Sequence, residues 1–208
     1  MTDILIIDSA ATGDASVSRR LTGELEAILR ARGPVRIVRR DVGAEPVPHL
    51  TAETTPAIRG GEPATDAARD ALALSDALIA ELKSADLVVI GAPMYNFGMA
   101  STLKAWFDHV LRAGITFRYS EAGPEGLVKG KKAIVIESRA GLYSEGPAAA
   151  MDSQEPHLRT LLGFMGLDDV AFVRAEKLAF GPESAAASIA EAVDELRALA
   201  AEELPLAA

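Results

Sequence analysis

The chain has 208 residues, 49% of them hydrophobic, a formal charge of −9 at pH 7 and no cysteine. Its length and apolar content suit one domain with a sizeable core, so residues 1–208 are read as a single unit. The acidic balance repels a phosphate polyanion, the missing thiols exclude disulfides, thiolate metal sites and cysteine nucleophiles, and no apolar run approaches the roughly 18 residues of a membrane span. With no basic leader ahead of the first apolar run, the expectation is a cytoplasmic protein with neither nucleic acid nor membrane as partner.

Residues 3–8, an apolar run between acids, predict a first strand. A loop of small residues leads into a helix over 18–32, with Leu21, Leu25, Ile28 and Leu29 on one face and Gly33-Pro34 as its stop. Residues 35–40 alternate apolar and basic side chains, the pattern of a half-buried second strand. The Pro-, Gly- and Thr-rich stretch 41–64 reads as a long, mobile excursion. A helix over 66–83 follows, capped by Thr65 or Asp66, with Leu72, Ile79 and Leu82 in phase.

The β-branched run 87–91 predicts a buried third strand that ends in Gly91 and Pro93. A helix over 101–112 comes next, with Leu103, Phe107, Val110 and Leu111 as its core face. Residues 114–130 read as a strand-rich or irregular insertion, 133–137 as the fourth strand, 156–165 as a helix, 170–175 as the fifth strand and 184–202 as a closing helix. Strands alternating with helices imply an α/β fold, a parallel sheet covered on both faces. Right-handed crossovers leave few topologies, and the expectation is a doubly wound five-stranded sheet of order 2-1-3-4-5.

In that order, three loops share one rim at the carboxyl ends of the strands, where open α/β sheets bind ligands. The first, Ser9-Ala10-Ala11-Thr12-Gly13-Asp14-Ala15-Ser16-Val17-Ser18, is built of small residues and opens a helix. Free amides, a positive dipole end and the Ser16 and Ser18 hydroxyls suit a phosphate monoester, although either serine also serves as a plain helix cap. The second loop offers Met94, Tyr95, Asn96 and Phe97, two rings and an amide that fit a flat ligand or, alternatively, the core. The third, Ser138-Arg139-Ala140-Gly141-Leu142-Tyr143, follows a buried strand. There Gly141 permits a positive φ, and successive amides are able to meet a carbonyl edge, or else form an ordinary turn. A flavin satisfies all three loops.

Competing chemistries find less support. No G-x-G-x-x-G or P-loop pattern is present. Ile136 and Ala140 stand where a nucleophile elbow around Ser138 needs glycines. His49, His109 and His157 lie too far apart in sequence for a histidine metal motif, so no metal site is expected. A one-electron carrier would share the fold, but the 41–64 and 114–130 segments read as walls of a substrate site.

Several motifs resemble those of the bacterial FMN-dependent NADH azoreductases, also described as NADH:quinone oxidoreductases. They are Ala92-Pro93-Met94-Tyr95-Asn96-Phe97, Arg112-Ala113-Gly114-Ile115-Thr116-Phe117-Arg118-Tyr119, Gly123-Pro124-Glu125-Gly126-Leu127, Leu162-Gly163-Phe164-Met165-Gly166 and Ala179-Phe180-Gly181-Pro182-Glu183. The resemblance implies a flavodoxin-like homodimer with one tightly bound FMN per subunit and an active site at the subunit interface. It implies that Ser16, Val17 and Ser18 hold the phosphate, while Met94, Tyr95, Asn96 and Phe97, with Ser138, Arg139, Ala140 and Gly141, meet the isoalloxazine. Two positions depart from the family: Ala10 stands where it usually has a hydroxyl, so that one phosphate donor is either missing or supplied by Ser9, and Ala140 stands where it has glycine. Tyr119 and Phe164 match aromatic positions on the substrate side, or else pack in the core; independently of the resemblance, Arg59 in the 41–64 excursion is either near the nicotinamide dinucleotide or simply solvated. The implied reaction is hydride transfer from NADH through flavin N5 to quinones or azo compounds, by a ping-pong mechanism and without a dedicated acid or base.

Overall fold

The computed structural model describes residues 1–202. Its first apolar run forms β1 (Thr2–Asp8), which pairs in parallel with β2 (Val35–Asp41) on one side and β3 (Leu87–Tyr95) on the other. Beyond β3 lie β7 (Lys132–Ser138) and β8 (Asp169–Ala175), again parallel, in the order β2-β1-β3-β7-β8. This is the doubly wound, flavodoxin-like order that the strand pattern predicts.

Successive side chains of a strand point to opposite faces, so the central strands are apolar throughout because both faces are covered. On one face Leu5, Ile7, Val88, Ile90 and Val135 meet α3 (Asp66–Ser84), α4 (Ser101–Val110) and α5 (Glu155–Met165) through Leu78, Leu82, Trp106, Phe107 and Leu162. On the other, Ile4, Ile6, Leu87, Val89 and Ile136 meet α1 (Val17–Arg32) and α6 (Pro182–Glu202) through Leu21, Leu25, Leu29 and Leu196. Burying one such aliphatic side chain contributes about 1.5–3 kcal/mol. These two layers fix the ends of the strands, and hence the rim.

Helix ends follow local chemistry. The Thr65 hydroxyl caps α3 by accepting from the Ala68 amide at 3.1 Å. Gly166 closes α5 in the left-handed region at φ 95°, where a side chain is unfavourable. A Cβ on Gly126 would lie 2.1 Å from the Gly166 nitrogen, so the absence of a side chain lets the hairpin β5 (Phe117–Ser120) and β6 (Gly123–Gly126) sit on the end of α5.

The structure corrects several sequence-based boundaries. The third strand continues through Pro93 to Tyr95 and turns back into β4 (Gly98–Met99), so most of the expected 93–98 loop is a hairpin. The 41–64 excursion contains α2 (Thr55–Ile58) and is anchored by buried Val42, Val47, Ala57 and Ile58. In α3, Leu72 is only half-buried, and Leu78 takes a core position instead. In α4, the helix ends at Val110, and the fully buried Trp106 supplies the largest core side chain. No helix among the described residues is long and apolar enough to cross a membrane.

Candidate functional site

The rim begins where β1 ends. Ser9 and Ala10 are each 1% exposed, and the Ser9 hydroxyl donates to the Gly91 carbonyl at 2.7 Å. That hydroxyl is therefore engaged inward, toward β3, and Ala10 lies beneath Gly43. A Cβ on Gly43 would come within 2.2 Å of the Ala10 oxygen. The chain then passes a 3-10 turn (Gly13–Ala15) and enters α1 with Ser16 as N-cap. The first i→i−4 bond runs from the Arg20 amide to the Ser16 carbonyl at 3.1 Å, so the Val17 and Ser18 amides precede the helical ladder. The Ser16 and Ser18 hydroxyls lie 3.0 Å apart beside those amides. Uncharged donors at a positive helix end suit a phosphate group.

The second component is the turn between β3 and β4. Asn96 and Phe97 have φ of 47° and 71°, the two consecutive positive values of a type I′ hairpin. Asparagine tolerates this conformation, but phenylalanine in it costs on the order of 1–2 kcal/mol. Two contacts hold the turn: the Phe97 carbonyl accepts from the Ser153 amide at 3.0 Å, and the Phe97 ring meets Tyr143 edge-on at 6.0 Å. Just before it, the Tyr95 hydroxyl accepts from the Ala11 amide at 3.0 Å. Met94 and Tyr95 are half-buried, whereas Asn96 and Phe97 are exposed.

The third loop leaves β7 at Ser138, which is buried. Arg139 is fully buried, its guanidinium 2.6 Å from Glu137, 3.0 Å from Asp152 and 3.3 Å from Glu176. Its amide donates to the Ala175 carbonyl at 2.9 Å, so Arg139 turns both its side chain and its N–H away from the rim. The Arg139, Ala140 and Gly141 carbonyls accept from the Leu178, Ala179 and Lys177 amides at 3.2, 3.0 and 2.9 Å, which ties the loop to the end of β8. Gly141 does not adopt the positive φ expected of it; its need is for space, because a Cβ would lie 3.0 Å from the Tyr143 ring. Burial pushes the Glu137 carboxyl up to about 8, against the pull of Arg139. Glu155 is held low by Arg174 and Arg159 despite its own burial, and Glu176 by Ser144, the Tyr143 amide and Arg139 despite its burial.

Arg59, Tyr119 and Phe164 come together in a different place. They line a cavity of about 430 Å³ with Ile58, Leu111 and Phe117. Phe117 is the centre of an aromatic cluster, 4.6 Å from Phe164 and 5.6 Å from Tyr119 between ring centroids. This cavity lies at the end of α4, at Asp108 and the following Leu111, whereas Thr102 at the start of α4 reaches the Ser9 carbonyl on the rim at 3.4 Å. At about 1.5 Å per helical residue the two places are on the order of 10 Å apart within one chain.

The donor set fits FMN. Paired serine hydroxyls and free helix amides answer a phosphate, while an exposed hairpin ring and adjoining main-chain groups answer a flat heterocycle. Sequence reasoning missed Gln154, which is buried and bonds both Arg139 and the Ala92 carbonyl, because an isolated glutamine before a helix carries no signal.

Residues 2–200 match the family described as "Flavodoxin-like fold". The chain is 56% identical over 201 residues to the FMN-dependent NADH:quinone oxidoreductase of Hyphomonas neptunium, covering 96% of each. Among solved structures, the azoreductase of Bacillus anthracis str. Sterne superposes with a TM-score of 0.87 at 28% identity, over 96% of this chain and 99% of that one. An FMN-dependent NADH-azoreductase of Bacillus anthracis str. Ames Ancestor, solved in complex with FMN, gives a TM-score of 0.87 at 25% identity, over 97% of this chain and 98% of that one.

Proposed function

The chain belongs to the family of FMN-dependent NADH:quinone oxidoreductases, and from that premise we propose that it passes hydride from NADH through FMN to quinones and reductively cleaves azo compounds to aromatic amines. The observation that carries this reading is the direct linkage of three rim loops: Ala11 to Tyr95, and Phe97 to Tyr143. In this reading residues 1–208 are one FMN-binding domain that works in the cytoplasm.

Bound FMN would supply the redox chemistry, the transfer of hydride between NADH and an acceptor through its N5. The protein's contribution is position and electrostatics. Ser16, Val17 and Ser18 hold the phosphate. Met94, Tyr95, Asn96 and Phe97, with Ser138, Ala140 and Gly141, would hold and orient the isoalloxazine. Ser9, Ala10 and Arg139 support these loops from inside. Main-chain amides near the ring edge stabilise negative charge there without a titrating side chain.

Arg59, Tyr119 and Phe164 form the donor and acceptor wall. Because that wall and the rim are separated within one chain, a second copy brings its wall to the first copy's rim, and the active unit is a homodimer. One wall serves nicotinamide and acceptor in turn, which makes the kinetics ping-pong. The test is steady-state rates at several fixed quinone concentrations with NADH varied. Parallel double-reciprocal lines are expected; intersecting lines exclude the shared wall.

A further inference from the structure

Three consecutive residues outside the loops that meet the ligand, 152–154, touch two of those loops at once. Gln154 is fully buried, an unusual place for glutamine, and the two ends of its amide engage different parts of the rim. Its Oε1 accepts from Arg139 Nε at 3.2 Å, and its Nε2 donates to the Ala92 carbonyl at 2.9 Å. One residue earlier, the Ser153 amide donates to the Phe97 carbonyl at 3.0 Å. Asp152 shapes the turn by accepting from the Gln154 amide at 2.8 Å and the Glu155 amide at 3.2 Å, and its other oxygen lies 3.0 Å from Arg139. Both ends of the 92–97 segment and the base of the Ser138–Gly141 loop are thus held from one short turn.

The segment so held is the strained one. Phe97 sits at φ 71°, a conformation that persists only where its surroundings over-determine it. We propose that the 152–154 turn is a clamp that sets the hairpin and the third loop in one register, with Gln154 as its positioning residue. The proposal rests on the reading of the rim as the FMN site. Glutamine suits the task because a single amide both donates and accepts, and so joins a carbonyl of one loop to a guanidinium behind the other. A methionine of similar size fills the space and joins neither.

The test compares Gln154→Met with wild type in three measurements. In the apoprotein, exchange of the Ser153 amide, which donates to Phe97, is expected to quicken about tenfold, the change produced by losing one hydrogen bond's worth of free energy, while exchange in α6 stays unchanged. FMN titration is expected to show about tenfold weaker binding for the same reason. The midpoint potential of the bound flavin is expected to shift, because the main-chain groups at the ring edge are no longer fixed. A lowered melting temperature with unchanged exchange at Ser153, unchanged affinity and unchanged potential overturns the clamp and leaves Gln154 a core residue. If wild type takes up no FMN, the site reading fails, while the exchange data still decide the clamp. Should Gln154→Met not fold, Gln154→Asn is measured instead. It keeps an amide but is too short to span both partners, and it faces the same two outcomes.

Discussion

The Ala11 amide donates to the Tyr95 hydroxyl across 3.0 Å, joining the loop after β1 to the end of β3. In the proposed site, this bond sets the distance between the residues that hold the phosphate and those that orient the ring. Tyr95→Phe removes the acceptor and little else. Ala11 is exposed, so water replaces the lost partner, and stability should change by no more than about 1 kcal/mol. FMN affinity should fall about three- to tenfold, since each hydrogen bond contributes on the order of 1 kcal/mol. Fluorescence titration of the apoprotein measures it.

In the proposed site the Ser16 and Ser18 hydroxyls meet the phosphate, Ser16 while also capping α1. The double substitution Ser16→Ala, Ser18→Ala should therefore weaken FMN by about tenfold or more, two hydrogen bonds to a charged group being at stake. Riboflavin, which lacks the phosphate, should bind wild type and variant equally. Loss of both affinities in proportion would show that the serines serve only the helix start.

The hairpin turn has its own signature. Asn96 sits at φ 47°, so Asn96→Ala should cost about 1 kcal/mol of stability and Asn96→Gly should not. Thermal denaturation of the apoprotein distinguishes the two, and an equal loss in both variants would point to the asparagine side chain instead of its backbone.

Glu137 makes stability depend on pH in a definite direction. Its carboxyl is raised by burial from 4.5 to about 8, so the folded state binds a proton that the unfolded state releases above its own, lower value. The contribution is fully present below about pH 4.5 and is lost as pH rises toward about 8. His109, lowered by burial, acts with the opposite sign, losing stability as pH falls. Glu137→Gln isolates the first effect: the stability of wild type minus variant should decline between pH 5 and 8, intervals set by the same two values. A difference that is flat across that window removes the proton from Glu137.

Much of the architecture was legible because it rests on hydrophobic runs. The apolar strands at the N-terminus and at Leu87 announce their burial on both faces, and the sheet order follows from their alternation with helices. The hairpin at Asn96-Phe97 was hidden because its second central residue is phenylalanine, where the usual signal is glycine. Arg139, which the resemblance places against the isoalloxazine, instead turns inward, and only the three-dimensional gathering of Glu137, Asp152 and Glu176 explains its burial. Arg59, Tyr119 and Phe164 are separated by dozens of residues, and no periodicity joins them. Family resemblance named Tyr119 and Phe164, the long excursion suggested Arg59, and the cavity brings the three together.

In the proposed function the rim holds an FMN that NADH reduces and a quinone reoxidises. The direct measurement is the visible spectrum of the purified protein, reconstituted with FMN, under anaerobic conditions. A flavin band is expected that bleaches on addition of NADH and returns on addition of a quinone. A preparation that takes up no FMN, or whose bound flavin stays oxidised in excess NADH, contradicts that function.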